Sequence, residues 1–102
     1  MPDPTRDNHM HTTFSDGSAS VDQMALAAIE KGLTRIHITD HMPLPFDTRY
    51  AMAAARIEAY RDAIKHARKA YTAHLDLRAG IEIEYIPDIK PWIRSISRMG
   101  WD

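Results

Sequence analysis

Cysteine is absent from this 102-residue chain. Disulfide staples and thiolate metal sites are thereby excluded, and any metal must sit on imidazole and carboxylate. An excess of charge of either sign is also lacking. Lys and Arg number 13 against 14 Asp and Glu, a formal net charge of −1. No global basic field therefore favours nucleic acid or an anionic membrane surface. No apolar run approaches the roughly 20 residues that a membrane-crossing helix requires. The opening Met1-Pro2-Asp3-Pro4-Thr5-Arg6 has no apolar core for a secretory signal. The expectation is a soluble, cytoplasmic protein. Internal repeats and low-complexity segments are missing too. What remains, 44% hydrophobic and 26% charged residues, is ordinary globular composition, in a length that makes one small domain or part of a larger one.

The pattern along the chain alternates strands with helices. Thr5 to His11 reads as a short strand entering a His/Asp loop. Ser20-Val21-Asp22-Gln23 is a capping box, and a helix should follow it with Val21, Met24, Ala25, Ala28, Ile29 and Leu33 on its buried side. Gly32 is placed to end that helix. Arg35-Ile36-His37-Ile38-Thr39 predicts a buried second strand, and Met42-Pro43-Leu44-Pro45 a loop after it. Ile57, Tyr60, Ile64, Ala67 and Tyr71 recur at helical spacing and predict a helix from about Ala51 to Tyr71. Leu77 to Tyr85 alternates as a strand, with Leu77, Ala79, Ile81 and Ile83 on one face and Glu82 and Glu84 on the other. Asp88 to Met99 reads as a third helix with Trp92, Ile93 and Ile96 inward. The order βαβαβα implies an α/β fold with a parallel sheet.

Chemistry concentrates at the ends of these strands. Four of the six histidines, His9, His11, His37 and His41, fall within the first 41 residues, together with Asp16 and Asp40. His9/His11, Asp40/His41 and Glu82/Glu84 each lie at or just past a predicted strand end, where parallel α/β sheets gather functional residues. A single His-x-His pair on a strand occurs by chance. The whole set is harder to dismiss, because imidazole and carboxylate together suit zinc, manganese or iron, and a carboxylate can bridge two ions. Several conspicuous side chains have blander readings. His37 fits a hydrogen-bonded core position, and Glu84 a solvated strand end. Arg49 and Arg56 could reach a phosphate but default to solvent, His66 and His74 carry no assigned role, and Met24, Met52 and Met99 read as core filler.

Asn8-His9-Met10-His11-Thr12, Ser15-Asp16-Gly17, Ile38-Thr39-Asp40-His41 and Gly80-Ile81-Glu82 stand in the order of the first motifs of the PHP (polymerase and histidinol phosphatase) family, which the chain resembles over nearly its whole length. Asp40-His41-Met42-Pro43 and Gly80-Ile81-Glu82-Ile83-Glu84-Tyr85-Ile86-Pro87 resemble the histidinol-phosphatase branch. The resemblance implies a distorted (β/α)7 barrel with two or three divalent metal ions (Zn, Mn or Fe) that hydrolyses a small phosphate ester. By the same resemblance, His9 and His11 would hold one metal and Glu82 would bridge it to a second. Asp16 and His41 would hold a third. Asp40, the candidate catalytic residue, would orient a ligand or shuttle a proton.

Later motifs of that family pattern have no counterpart here, so residues 1–102 are expected to be the truncated N-terminal portion of a single PHP domain. Such a fragment is expected to have an open sheet edge, through which it could self-associate, and an uncovered apolar face. The rival expectations are a PHP-type nuclease or nucleotide phosphatase, and an inactive metal-binding fragment. The neutral composition argues against nucleic acid as substrate.

Overall fold

The computed structural model describes residues 6–46, 48, 50–84 and 86–102. Arg35-Ile36-His37-Ile38 has β-branched residues at alternate positions, and it forms the central strand β2 (Arg35–Ile38) of a three-stranded sheet. On one side lies β1 (Arg6–Met10) and on the other β3 (Asp76–Ala79), both parallel to it. Arg35, Ile36, His37 and Ile38 stand opposite Asp76, Leu77, Arg78 and Ala79. Against β1 the register is broken. Asp7 faces Ile36 but Met10 faces Ile38, so β1 carries one extra residue in between, a local bulge of the kind common beside functional sites.

Two helices cover one face of this sheet. Helix α1 (Val21–Glu30) begins at the capping box: the Ser20 hydroxyl accepts from the Gln23 N–H at 3.1 Å, and Gln23 Oε1 accepts from the Ser20 N–H at 2.8 Å. It ends at Gly32, whose φ of 79° lets the N–H groups of Gly32 and Leu33 turn back onto the carbonyls of Ile29 and Ala28. Helix α2 (Ile57–Tyr71) follows a 3-10 turn at Ala54–Arg56. Val21, Ala25 and Ala28 of α1 and Tyr60, Ile64 and Ala67 of α2 are buried together with Ile36, Ile38, Met52, Leu75 and Leu77. A smaller cluster joins Met42, Leu44 and Ile96, the last from α3 (Lys90–Ser97), and Trp92 Nε1 donates to the Pro43 carbonyl at 2.7 Å.

The structure corrects several boundaries. β3 stops at Ala79, six residues before the expected end, and only an isolated bridge between His41 and Glu82 continues the pairing. Ile83, expected on the buried face, is exposed. Thr5 and Tyr85, the outer ends of two expected strands, lie outside the described residues. Helix α2 starts six residues after Ala51, and Met24, Ile29, Leu33 and Tyr71 are only partly buried. The sheet face turned away from the helices is not apolar. By strand alternation it carries Arg35, His37, Asp76 and Arg78, and Asp76 pairs with both arginines. Part of the β3 edge is taken up within the chain: the Asp102 N–H donates to the Ala79 carbonyl at 2.8 Å, and Asp102 Oδ2 accepts from the Ala79 N–H at 2.7 Å.

Candidate metal centre

The segment after β1 turns back sharply. The Thr12 carbonyl accepts from the N–H groups of both Ser15 (3.1 Å) and Gly17 (2.8 Å), and the Thr13 N–H donates to the Ala19 carbonyl. Gly17 is required by close approach. A Cβ there would lie 2.4 Å from the His11 carbonyl oxygen and 2.8 Å from the Thr12 Cα, both backbone atoms that cannot step aside. The turn brings Asp16 back over His11.

Beneath it sits Asp40, fully buried at the end of β2. Its Oδ1 accepts from the Thr12 N–H and the Ser15 hydroxyl, both at 2.5 Å, and its Oδ2 from the Thr12 hydroxyl at 2.7 Å. The Ser15 oxygen in turn accepts from the His41 N–H at 3.2 Å. No histidine ring nitrogen is among Asp40's partners. Tyr60 of α2 completes the bracket. Its hydroxyl accepts from the Asp40 N–H at 3.2 Å and shares its proton between the carbonyls of Ile38 (3.0 Å) and Gly80 (2.8 Å). Burial, with the nearby Asp40 charge, pushes the Tyr60 phenol well above its ordinary range, against the opposing hydrogen bond from the Asp40 backbone.

On this support, five side chains converge from the ends of three strands. His9 Nε2 lies 3.1 Å and His11 Nε2 3.7 Å from Glu82 Oε1. His11 Nδ1 is 2.7 Å from Asp16 Oδ1, and His41 Nε2 is 2.9 Å from Asp16 Oδ2. His41 Nδ1 is 2.5 Å from Glu82 Oε2. The rings of His9 and His11 are 4.8 Å apart, and those of His11 and His41 4.4 Å. Two groups have ligand atoms all within 4.8 Å of one another: His9, His11 and Glu82, and His11, Asp16 and His41.

The donor set fits divalent metal. His11 Nε2 is buried and has no hydrogen-bond partner, although it faces His9 and Glu82. With the Nδ1 proton directed to Asp16, that nitrogen presents a lone pair, the carboxylate–histidine arrangement that fixes the tautomer of a metal ligand. Desolvation raises the Asp16 carboxyl, but its hydrogen bonds and charge interactions with His41 and His11 outweigh this and hold it below its usual value.

All five expected ligands are thus brought together, and Asp40 is placed under them. Sequence reasoning missed Thr12, Ser15 and Tyr60, hydroxyl residues that carry no signal until the chain folds over Asp40. It also missed Tyr50, whose ring lies edge-on to His41 at 5.1 Å and whose hydroxyl donates to Glu84 at 2.7 Å. That bond to Glu84, with burial, raises the Tyr50 pKa. His37 Nε2 is 3.2 Å from the Asp102 carbonyl, away from the cluster's contacts. The Arg56 guanidinium lies over the Phe14 ring, His66 and His74 are exposed, and Arg49 lies outside the described residues.

Comparisons with known proteins bear on the family and the fold. The model of the family described as PHP domain matches residues 7–99. A protein of Bacillus subtilis named histidinol-phosphatase is 34% identical over 94 residues, covering 83% of this chain and 35% of the relative. A protein of Deinococcus radiodurans named probable histidinol-phosphatase is 28% identical over 100 residues, covering 94% of this chain and 38% of the relative. The DNA polymerase/3'-5' exonuclease PolX of Bacillus subtilis is 34% identical over 82 residues, but this chain spans only 14% of it. Among solved structures, a protein of Listeria monocytogenes provisionally named a histidinol phosphatase superposes with a TM-score of 0.78 at 26% identity, covering 89% of this chain and 39% of that one. The chain therefore spans well under half the length of each of these relatives.

Proposed function

The chain belongs to the PHP domain family, and from that premise we propose that it forms part of a metal-dependent phosphate monoester hydrolase acting on histidinol phosphate, in histidine biosynthesis. The observation that carries this reading is the convergence of His9, His11, Asp16, His41 and Glu82, with the His11 Nε2 lone pair buried and unspent. His9, His11 and Glu82 would hold one ion. Asp16 and His41 would hold another, with Glu82 reaching both groups through its two oxygens. Divalent ions there would supply positive charge to the phosphoryl oxygens and bring the pKa of water near neutrality.

The protein's own groups position these parts. Asp40 is read as a positioning residue, because its carboxylate is spent on Thr12 and Ser15 and so fixes the turn that carries Asp16 and the backbone that carries His41. Asp16, accepting from His11, sets the direction of that ring. In the hydrolysis, a bond forms from water oxygen to phosphorus as the ester P–O bond breaks, and the alcohol leaves with a proton. Histidinol phosphate as substrate is supported by the names of two relatives. The likeness to PolX supports the second reading, a nuclease.

The test uses the full-length protein that carries this region, purified and supplied with Mn²⁺ or Zn²⁺. Phosphate release from histidinol phosphate, well above release from nucleoside monophosphates and with no shortening of DNA 3' ends, is the expected result. Metal binding without hydrolysis of any phosphate monoester would overturn it, and DNA 3'-end shortening would select the nuclease.

A further inference from the structure

Glu84 is a carboxylate set beside a centre suited to binding an anionic phosphate ester. Its Oε2 is occupied by the Tyr50 hydroxyl at 2.7 Å, and Tyr50 leans edge-on against the His41 ring at 5.1 Å. The tyrosine therefore ties Glu84 to the rim of the cluster. No Lys, Arg or His pairs with Glu84 among the described residues, and its Oε1 has no partner there. Glu84 lies two residues past Glu82, within about 7 Å along the backbone. A negative charge so close to the phosphate position disfavours a simple phosphate monoester. It becomes favourable only when the rest of the ligand brings a positive charge to it.

We propose that Glu84, held in place by Tyr50, accepts a cationic amine on the alcohol portion of the phosphate ester and so selects amino-alcohol phosphates over neutral ones. An amine on the carbon next to the ester carbon lies about 5 Å from phosphorus by ordinary bond lengths. Tyr50 contributes twice: it removes one carboxylate oxygen from competition with water, and its ring closes the side of His41. This proposal rests on the phosphatase reading above, but its readouts separate from it.

The experiment compares wild-type full-length protein with Glu84→Gln and Tyr50→Phe, on histidinol phosphate and on glycerol 3-phosphate, at matched metal content measured by atomic absorption. Glu84→Gln is expected to lower the ratio of kcat/KM for the amine-bearing ester over the neutral one by about tenfold or more, chiefly through KM, the size of a lost charge-assisted hydrogen bond. Tyr50→Phe shifts the same ratio in the same direction by less. An unchanged ratio in Glu84→Gln overturns the proposal, even where both rates fall. If the wild-type protein hydrolyses neither ester, the phosphatase reading fails, and calorimetric binding of histidinol decides for Glu84. Weaker binding in Glu84→Gln sustains the amine site, and equal affinity overturns it.

Discussion

Asp40 and Gly17 control the centre without entering the proposed ligand set. Replacing Asp40 by Asn keeps its shape but turns an amide N–H₂ toward at least one donor from Thr12 or Ser15. With three charge-assisted bonds at stake in a buried position, the loss is expected to be about 3 kcal/mol by urea unfolding. Gly17→Ala forces a methyl into the His11 carbonyl. It is expected to lower affinity for Mn²⁺ in calorimetry more than it lowers stability, because the turn that carries Asp16 must open. A pH effect belongs to Asp76. Its carboxyl is held below the usual 3.8, chiefly by the hydrogen bond from Arg78, with Arg35 assisting against partial desolvation. A depressed carboxylate contributes stability fully above that usual value and loses it as pH falls through the folded pKa. Asp76→Asn should therefore lower thermal stability at pH 7, by a small amount because the pair is exposed, and the difference from wild type should vanish as pH falls below about 4. The five candidate ligands stood out at this scale, since His, Asp and Glu announce themselves, and the fold brings them together. Thr12 and Ser15 were not, because a hydroxyl reports nothing until a carboxylate is folded onto it.

Among the elements, α1 was legible almost to the residue, because its start and stop are local chemistry: Ser20 and Gln23 at one end and the left-handed Gly32 at the other. Ser20→Ala should cost about 1 kcal/mol in denaturant unfolding, the usual value of such a cap. Helix α2 was legible by its period but not by its start. Residues between 51 and 56 are diverted by Met52, which inserts into the core, and by the 3-10 turn that follows. Tyr60 reads in sequence as one more apolar position of that helix. In the fold its hydroxyl joins the carbonyls of Ile38 and Gly80 to the Asp40 amide, tying α2 to β2 and to the end of β3. Tyr60→Phe keeps the ring buried but strands these groups, and is expected to cost about 2 kcal/mol, read by thermal or urea unfolding. The shortened β3 has the reverse lesson. Strict alternation from Leu77 to Ile83 predicts one strand, yet pairing past Ala79 needs a neighbour, and β2 offers only the His41 bridge.

For the molecule as a whole, bound metal would couple to the stability of the fold. Ions that bind the assembled cluster and not the unfolded chain stabilise the protein by about 2.7 kcal/mol at a hundredfold excess over Kd. Mn²⁺ or Zn²⁺ should therefore raise Tm by on the order of 10 °C in a scan of a chain this size, EDTA should reverse the rise, and Glu82→Ala should abolish most of it. The sequence by itself determined the kinds of candidate ligand, the parallel α/β order and the helix cap. Those follow from residue chemistry and from spacings of two to four residues, which need no distant contact. Only the tertiary structure decided that Asp40 lies beneath the cluster with its oxygens spent, that Tyr60 bolts the two strand ends together, and that Tyr50 brings Glu84 to the rim. Each of these joins residues 20 to 34 positions apart in the chain. Parallel strands meet only after a crossover, so the partners of each side chain are set by packing and not by its neighbours in sequence.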